Sequence, residues 1–199
     1  MKKTMLLGVL LLSAAAGVAQ ESRQDVSFSA TGFFGPQVNS PNAVVMNSTG
    51  SLGLLASYRY MLTPHSSLEL NYGFTQNQQK YQASFTNQER VHSREQEGSG
   101  AYVYSLNFKR FSPFAEVGVG SIFFTPIHDY KTTVFDTKQT ISVGGLFGAG
   151  VAYELSPSWD VRVEYRGFLL KAPSYSLGNL GLNKYEILSL PAVGFAYHF

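Results

Sequence analysis

The sequence has no cysteine, which excludes disulfide bonds, thiolate metal sites and cysteine nucleophiles before any motif is read. Charge is also scarce. Asp, Glu, Lys and Arg make up 14% of the 199 residues, against roughly 25% in ordinary soluble domains. Past the N-terminal stretch no window reaches the roughly 18 consecutive apolar residues that mark a transmembrane helix. The histidines His65, His92, His128 and His198 are scattered, with no two at ligand spacing, so no metal site is expected. What the chain has instead is 15 Phe, 12 Tyr and 19 Gly. So many aromatics and so little charge argue against disorder and for a chain that buries or embeds its surface.

Lys2 and Lys3 precede the apolar run Met5 to Leu12 with Ala14 to Ala16, which ends in Gly17-Val18-Ala19. A basic start, a short apolar segment and small residues before the cut predict a secretory signal peptide over residues 1–19, leaving one domain over 20–199. The run is shorter than the roughly 20 residues a spanning helix needs. Without Lys2 and Lys3, the 15 basic residues fall to 13 against 13 acidic ones. A neutral exported chain lacks the one-sided basic excess of a nucleic-acid partner.

Along the remainder, apolar residues recur at every second position, the period of a β-strand. The sets are Val26 to Phe34, Leu52 to Tyr60, Leu68 to Phe74, Tyr102 to Phe108, Ala115 to Phe123, Phe147 to Leu155, Trp159 to Leu169 and Val193 to Phe199, which predicts eight strands. Three connections are tight: Thr63-Pro64-His65-Ser66, Arg110-Phe111-Ser112-Pro113 and Ser156-Pro157-Ser158. Four are long and polar, near 35–50, 75–100, 125–140 and 171–184. Short turns at one end and long loops at the other, with both termini on the short-turn side, are the layout of an all-β, antiparallel up-and-down transmembrane barrel of eight strands.

Alternation alone does not say which face is inside, and a soluble lipocalin-like barrel remains the rival fold. The face opposite the apolar one carries Arg59, Glu69, Lys109, Glu116, Glu154, Asp160, Arg162, Glu164 and Arg166 beside Gly73, Gly118, Gly120, Gly148, Gly150 and Gly194. Glycines on a solvated surface only weaken strands, whereas in a narrow lumen they leave room for long charged side chains. Four cations against five anions predict an interior ion-pair network of Arg59, Glu69, Lys109, Glu116, Glu154, Arg162, Glu164 and Arg166 that plugs the barrel, because unpaired buried charges are costly. Aromatics gather near the short turns (Tyr58, Tyr60, Phe108, Tyr153, Trp159, Tyr197, Phe199) and toward the loops (Phe34, Phe74, Tyr102, Phe123), as two membrane interfaces require.

The terminal segment Val193-Gly194-Phe195-Ala196-Tyr197-His198-Phe199 resembles the assembly signal of bacterial outer-membrane barrels, with Val193, Phe195, Tyr197 and Phe199 as its alternating residues. Pro113 to Gly120 and Trp159 to Arg166 resemble strands of the OmpA/OmpX-type eight-stranded barrels. The resemblance covers residues 20–199. It implies location in the bacterial outer membrane, contact with its lipid and insertion by the barrel assembly machinery. Pro191 departs from the pattern, since it has no N–H for the ladder of a closed barrel. Strand eight is expected to bulge there or to begin its pairing later.

No catalytic or cofactor site is expected. His65-Ser66 and His92-Ser93 lie in a turn and a loop, away from any orienting acid, and Gly144 to Gly150 lacks the Lys-Ser/Thr of a phosphate loop. The sequence therefore reads as a non-enzymatic, monomeric structural or surface-interaction barrel. The segments 75–100 and 125–140 are its candidate surfaces for an extracellular ligand. A narrow gated channel and a lipid-modifying enzyme of the lipid A deacylase or acyltransferase kind are the alternatives.

Overall fold

A computed structural model describes residues 23–39, 44–83, 89–127, 139–171 and 185–199. The signal-peptide segment, most of 125–140 and nearly all of 171–184 lie outside the described residues. Among the described residues there are ten strands: β1 Gln24–Phe33, β2 Val38–Asn39, β3 Val44–Ser48, β4 Ser51–Thr63, β5 Ser66–Ala83, β6 Glu89–Ser105, β7 Phe111–Pro126, β8 Thr140–Ser156, β9 Trp159–Lys171 and β10 Tyr185–His198.

Eight of them close a barrel. Each of β4 to β10 pairs antiparallel with its neighbour in sequence, and β1 pairs with both β4 and β10, so no barrel edge is left open. The two extra strands are short: β2 pairs with β3, and β3 with the upper part of β5. In the segment 75–100 the described residues, 75–83 and 89–100, are strand and not loop. Its register runs unbroken from Ser66↔Tyr104 to Tyr81↔Glu89, so the β5–β6 hairpin continues well past the apolar stretch. Above a bilayer a strand needs no apolar face, so the hydropathy alternation that betrays a strand fades while backbone pairing persists.

The second tight turn lies earlier than Arg110 to Pro113. Phe108 and Phe111 exchange backbone hydrogen bonds of 2.9 and 2.8 Å around Lys109 and Arg110. Lys109 has a φ of 50°, the left-handed region that a two-residue hairpin demands of a central residue. Tyr102 also changes ends. It lies near the foot of β6, its hydroxyl 2.7 Å from that of Ser66, because β6 begins at Glu89.

Pro191 does not bulge the strand, and it delays pairing on one side only: toward β1 the ladder begins at Thr31↔Ala192, with a single isolated bridge, Phe34↔Ser189, beyond it. The β9–β10 register is continuous from Tyr185↔Lys171 to Tyr197↔Trp159. Ser189 gives and receives its backbone bonds with Phe34, one residue past the end of β1. Pro191 has the same parity, so its missing donor falls on the β1 side opposite Gly32. There the Thr31 hydroxyl reaches the Gly32 and Pro191 carbonyls, both at 3.2 Å, and a Cβ on Gly32 would meet the Phe34 ring and Pro191.

The barrel's outside is greasy. Phe28, Leu54, Leu70, Val117, Val119, Val143, Val163 and Phe195 are all exposed, while their neighbours on the opposite face are buried or, at several glycines, half-buried. Burying the alternate face in a lumen and leaving such side chains outside is stable only against hydrocarbon. Tyr58, Tyr60, Tyr102, Tyr104, Tyr153, Trp159 and Tyr197 ring the short-turn end, where Trp159 and Tyr197 pack with ring centroids 5.0 Å apart.

Candidate functional site: the filled lumen

The lumen follows from strand parity, and β9 displays it in order. Its inward positions from the short-turn end are Asp160, Arg162, Glu164, Arg166, Phe168 and Leu170, every one of them buried. The first four belong to an ionic tier, the last two to an apolar one.

In the ionic tier, Arg59 Nε donates to Glu69 Oε2 at 2.7 Å on the adjacent strand, and its guanidinium lies 4.9 Å from the centroid of the Phe114 ring. Arg166 reaches across the lumen. Its Nη2 donates to Glu97 Oε1 at 2.7 Å and to Ser99 Oγ at 3.3 Å, and its Nε to Glu116 Oε1 at 3.3 Å. Glycine makes this reach possible. Gly148 stands between Arg166 and Glu116 in the ladder, and a Cβ there would collide with Glu116 Oε1. Gly73, opposite Glu97, and Gly150, opposite Glu164, clear space in the same way. Nearer the short-turn end, Arg162 Nη2 donates to Asp25 Oδ2 at 2.7 Å. His198 Nε2 lies 2.8 Å from Asp160 Oδ2.

The membership differs from the expected one. Arg59, Glu69, Glu116, Arg162 and Arg166 meet charged partners in the lumen. Glu164 is buried in the field of Arg166, Arg59 and Arg162 but makes no direct ion pair among the described residues. Lys109 is not in the lumen, because the two-residue turn places it exposed outside the ladder. Glu154, beside the register shift that ends β8, makes no ion pair among the described residues. Two partners went unforeseen: Asp25, whose parity beside Val26 already placed it inside, and Glu97, hidden in a segment read as loop. Within the ionic tier the buried tally among the described residues is three guanidiniums against six carboxylates (Asp25, Glu69, Glu97, Glu116, Asp160, Glu164). One-to-one neutralisation is therefore replaced by sharing, with Arg166 serving two acids.

The apolar tier lies on the loop side. Leu146, Phe168 and Leu188 form a single rung across β8, β9 and β10, joined by Phe33, Leu55, Ile122, Phe124 and Leu170, all nearly or fully buried. This tier was absent from the expected polar interior. Its trace in the sequence is the loss of alternation at Phe33-Phe34, Leu54-Leu55, Ile122-Phe123-Phe124 and Phe168-Leu169-Leu170, where apolar residues occupy both faces. Beyond it, Glu95 and Glu186 are buried on inward positions, and the Ser93 hydroxyl donates to Glu95 Oε1 at 3.4 Å. A cavity of about 140 Å³ opens at the short-turn end, and its lining reaches inward as far as Arg59, Arg162 and Phe114.

The residues Val193, Phe195 and Tyr197 are exposed on the outer face of β10, and Phe199 N donates to Gln24 O at 3.0 Å, tying the C-terminus to the first strand. Neither Ser–His pair is assembled. In β6 His92 and Ser93 point to opposite faces, and Ser93 is fully buried. His65 Nδ1 lies 3.0 Å from the Ser105 carbonyl, while Ser66 meets Tyr102. Among the described residues no group of three His, Asp or Glu could hold a metal ion.

Known structures share this architecture at low sequence identity. The chain is similar to the outer membrane protein OprG of Pseudomonas aeruginosa, with a TM-score of 0.67 and 14% identity over 90% of this chain and 97% of that one. It is also similar to Neisserial surface protein A, NspA, with a TM-score of 0.59 and 13% identity over 89% and 98%. A third is the outer membrane protein AlkL, with a TM-score of 0.56 and 18% identity over 92% and 94%. No curated protein sequence matches. Residues 4–199 match the family model described as the outer membrane protein beta-barrel domain, and the chain belongs to that family, a closed eight-stranded barrel of the bacterial outer membrane.

Proposed function

We propose that this protein is a sealed, non-catalytic, monomeric barrel that contributes to outer-membrane structure and presents its loop-bearing end to external partners. The observation that carries this reading is the stacking of the two lumen tiers. Eight strands leave an interior just wide enough for side chains to fill. Here the cross-lumen Arg166 pairs are topped by the Leu146–Phe168–Leu188 rung. A solute would have to part both an ion-pair network and a dry apolar layer. The extended β5–β6 hairpin, with β3 paired to it, supplies a rigid surface above the apolar band, where binding groups on scaffolded barrels usually sit.

Planar-bilayer recording tests the seal. The protein is expected to give no stable open steps, and the double variant Phe168→Ala, Leu188→Ala is expected to give intermittent ones. Stable steps from the unaltered protein, lost in Arg162→Gln or Glu116→Gln, would replace this reading with that of a narrow channel. Lipid A mass spectra from cells with and without the protein should be identical; a deacylated or acylated species would replace it with an enzyme. The reading also assigns Val193, Phe195, Tyr197 and Phe199 as the segment handled by the assembly machinery, so deletion of Phe199 should lower insertion while export continues.

A further inference from the structure

Charge on this barrel is sorted by face. Among the described side chains no Asp or Glu is exposed, whereas Arg23, Arg94, Lys109, Arg110 and Lys171 are. The sorting is sharpest on the β5–β6 hairpin, whose composition of mixed Glu, Lys and Arg looks like an ordinary solvated excursion when read linearly. Its rungs are Gln76↔Arg94, Gln78↔His92 and Lys80↔Arg90. Lower in these strands the even positions Leu68, Leu70, Tyr72, Tyr102 and Tyr104 are exposed outward, and the odd positions Ser67, Glu69, Asn71, Ser93, Glu95 and Glu97 are buried inward. The period of two carries upward, so Arg94, His92 and Lys80 share the outer face and Arg90 holds the rung opposite Lys80. The acids Glu95 and Glu97 belong to the other face.

Height is set by a second observation. The Arg94 guanidinium lies 6.0 Å from the centroid of the Phe74 ring, and Phe74 is the last large apolar side chain on the outer face of β5. On that face the chain turns polar at Gln76 and Gln96, where Gln96 Nε2 donates to Tyr72 Oη at 2.7 Å. The basic rungs thus begin where the hydrocarbon-facing band ends. On the far side of the barrel Lys171 follows Leu169 on the outer face of β9 and is exposed.

We propose that the outer face of the β5–β6 hairpin, centred on Arg94 and Lys80, binds the phosphoryl groups of outer-leaflet lipid A. A guanidinium pairs with phosphate oxygens through two parallel N–H donors, and an ammonium adds a point charge. Basic groups at a membrane surface attract anionic lipid additively. Among the described side chains no acidic group on that face competes for them. Lipid and not free phosphate is the source, because the site is continuous with the apolar wall that seats acyl chains. The site goes beyond the reading of a sealed barrel and stands whether or not the lumen conducts.

The test uses the full-length protein, folded into phosphatidylcholine vesicles that contain either bis-phosphorylated or fully dephosphorylated lipid A. Lipid A that stays with the protein through detergent extraction and gel filtration is then measured. The bis-phosphorylated form should be retained preferentially. In Lys80→Gln, Arg94→Gln that retention should fall by roughly thirtyfold, the combined effect of two interfacial cations, while Arg110→Gln at the opposite end should leave it unchanged. Equal retention of the two lipids by the unaltered protein overturns the proposal. So does undiminished retention in a folded double variant, and displacement by an equimolar amount of inorganic phosphate removes the lipid as the source. Should the double variant not fold, the comparison of the two lipids on the unaltered protein still decides.

Discussion

The two tiers of the lumen occupy the same eight strands and the same parity, yet they fill space by opposite means. On β9 the change takes one step, from Arg166 to Phe168, two residues farther along the inward face. Below it, long polar side chains cross the lumen, each held by particular partners, and glycines opposite Glu97, Glu116, Glu164 and Arg166 leave them room. Above it, apolar side chains meet from several walls, and no single contact is indispensable. The ionic tier is therefore specific and brittle, because removing one member strands another charge in a dry interior. The apolar tier is tolerant, because it weakens in proportion to the volume lost.

The largest break in that comparison should come from Arg166→Met, which strands both Glu97 and Glu116. Breaking a buried pair from one side costs about 3–5 kcal/mol, read as a lower unfolding midpoint in urea and a lower temperature for loss of the compact band on gels. The triple variant Arg166→Met, Glu97→Gln, Glu116→Gln should recover most of the loss, since no charge is then left uncompensated. Phe168→Ala attacks the other tier and should cost about 3 kcal/mol, the low end of the range for large-to-small core changes. No second substitution that merely removes a charge should rescue it. Equal rescue in both tiers would erase the distinction.

The alternation of Leu68, Leu70 and Tyr72 against Ser67, Glu69 and Asn71 made the barrel legible, because a strand with one greasy and one polar face has few ways to be buried. The pairing of Arg59 with Glu69 was legible only in part, since the tight turn at Pro64 would by itself set Arg59 opposite Leu70, and the register shift between Met61 and Thr63 brings Glu69 there instead. Lys109 was misplaced for a local reason: parity was carried through Phe108, although the ladder of β6 ends at Ser105 and a left-handed residue turns the chain. Asp25 was readable from Val26 and Phe28 but lay outside the segments taken as charged. Glu97 and the basic outer rungs were hidden because both faces of the upper hairpin are polar, which leaves register, and not hydropathy, to sort them. The apolar tier was hidden by a correct rule applied too widely. An outer-membrane lumen is polar where water or ions fill it, and Phe168-Leu169-Leu170 marks where they do not.

Gly148→Ala tests how closely the ionic tier is fitted. The added methyl would meet Glu116 Oε1 and the Tyr165 carbonyl, one the end of a side chain and the other fixed backbone of the neighbouring strand. Overpacking of this kind costs about 1–3 kcal/mol, and the same unfolding curves measure it. Gly98→Ala, where a Cβ meets nothing within 4 Å, should show no such loss. A similar cost at both positions would mean that the penalty comes from strand glycines in general and not from the crossing of Arg166 to Glu116.

The smallest effect is expected where neither tier is involved, at the seam that closes the barrel. Pro191 offers no donor toward β1, and the Thr31 hydroxyl, itself inward-facing, reaches the carbonyls on both sides of the gap. Thr31→Val keeps the shape and removes the hydroxyl, so it should cost about 1 kcal/mol, the net worth of one hydrogen bond. Amide exchange should rise locally along the β1–β10 register near Ala30 and Ala192, while β5 and β6 keep their protection. If exchange rises around the whole barrel instead, the seam is coupled to the tiers, and the ladder flanking Pro191 holds the lumen side chains in place as well as closing the wall.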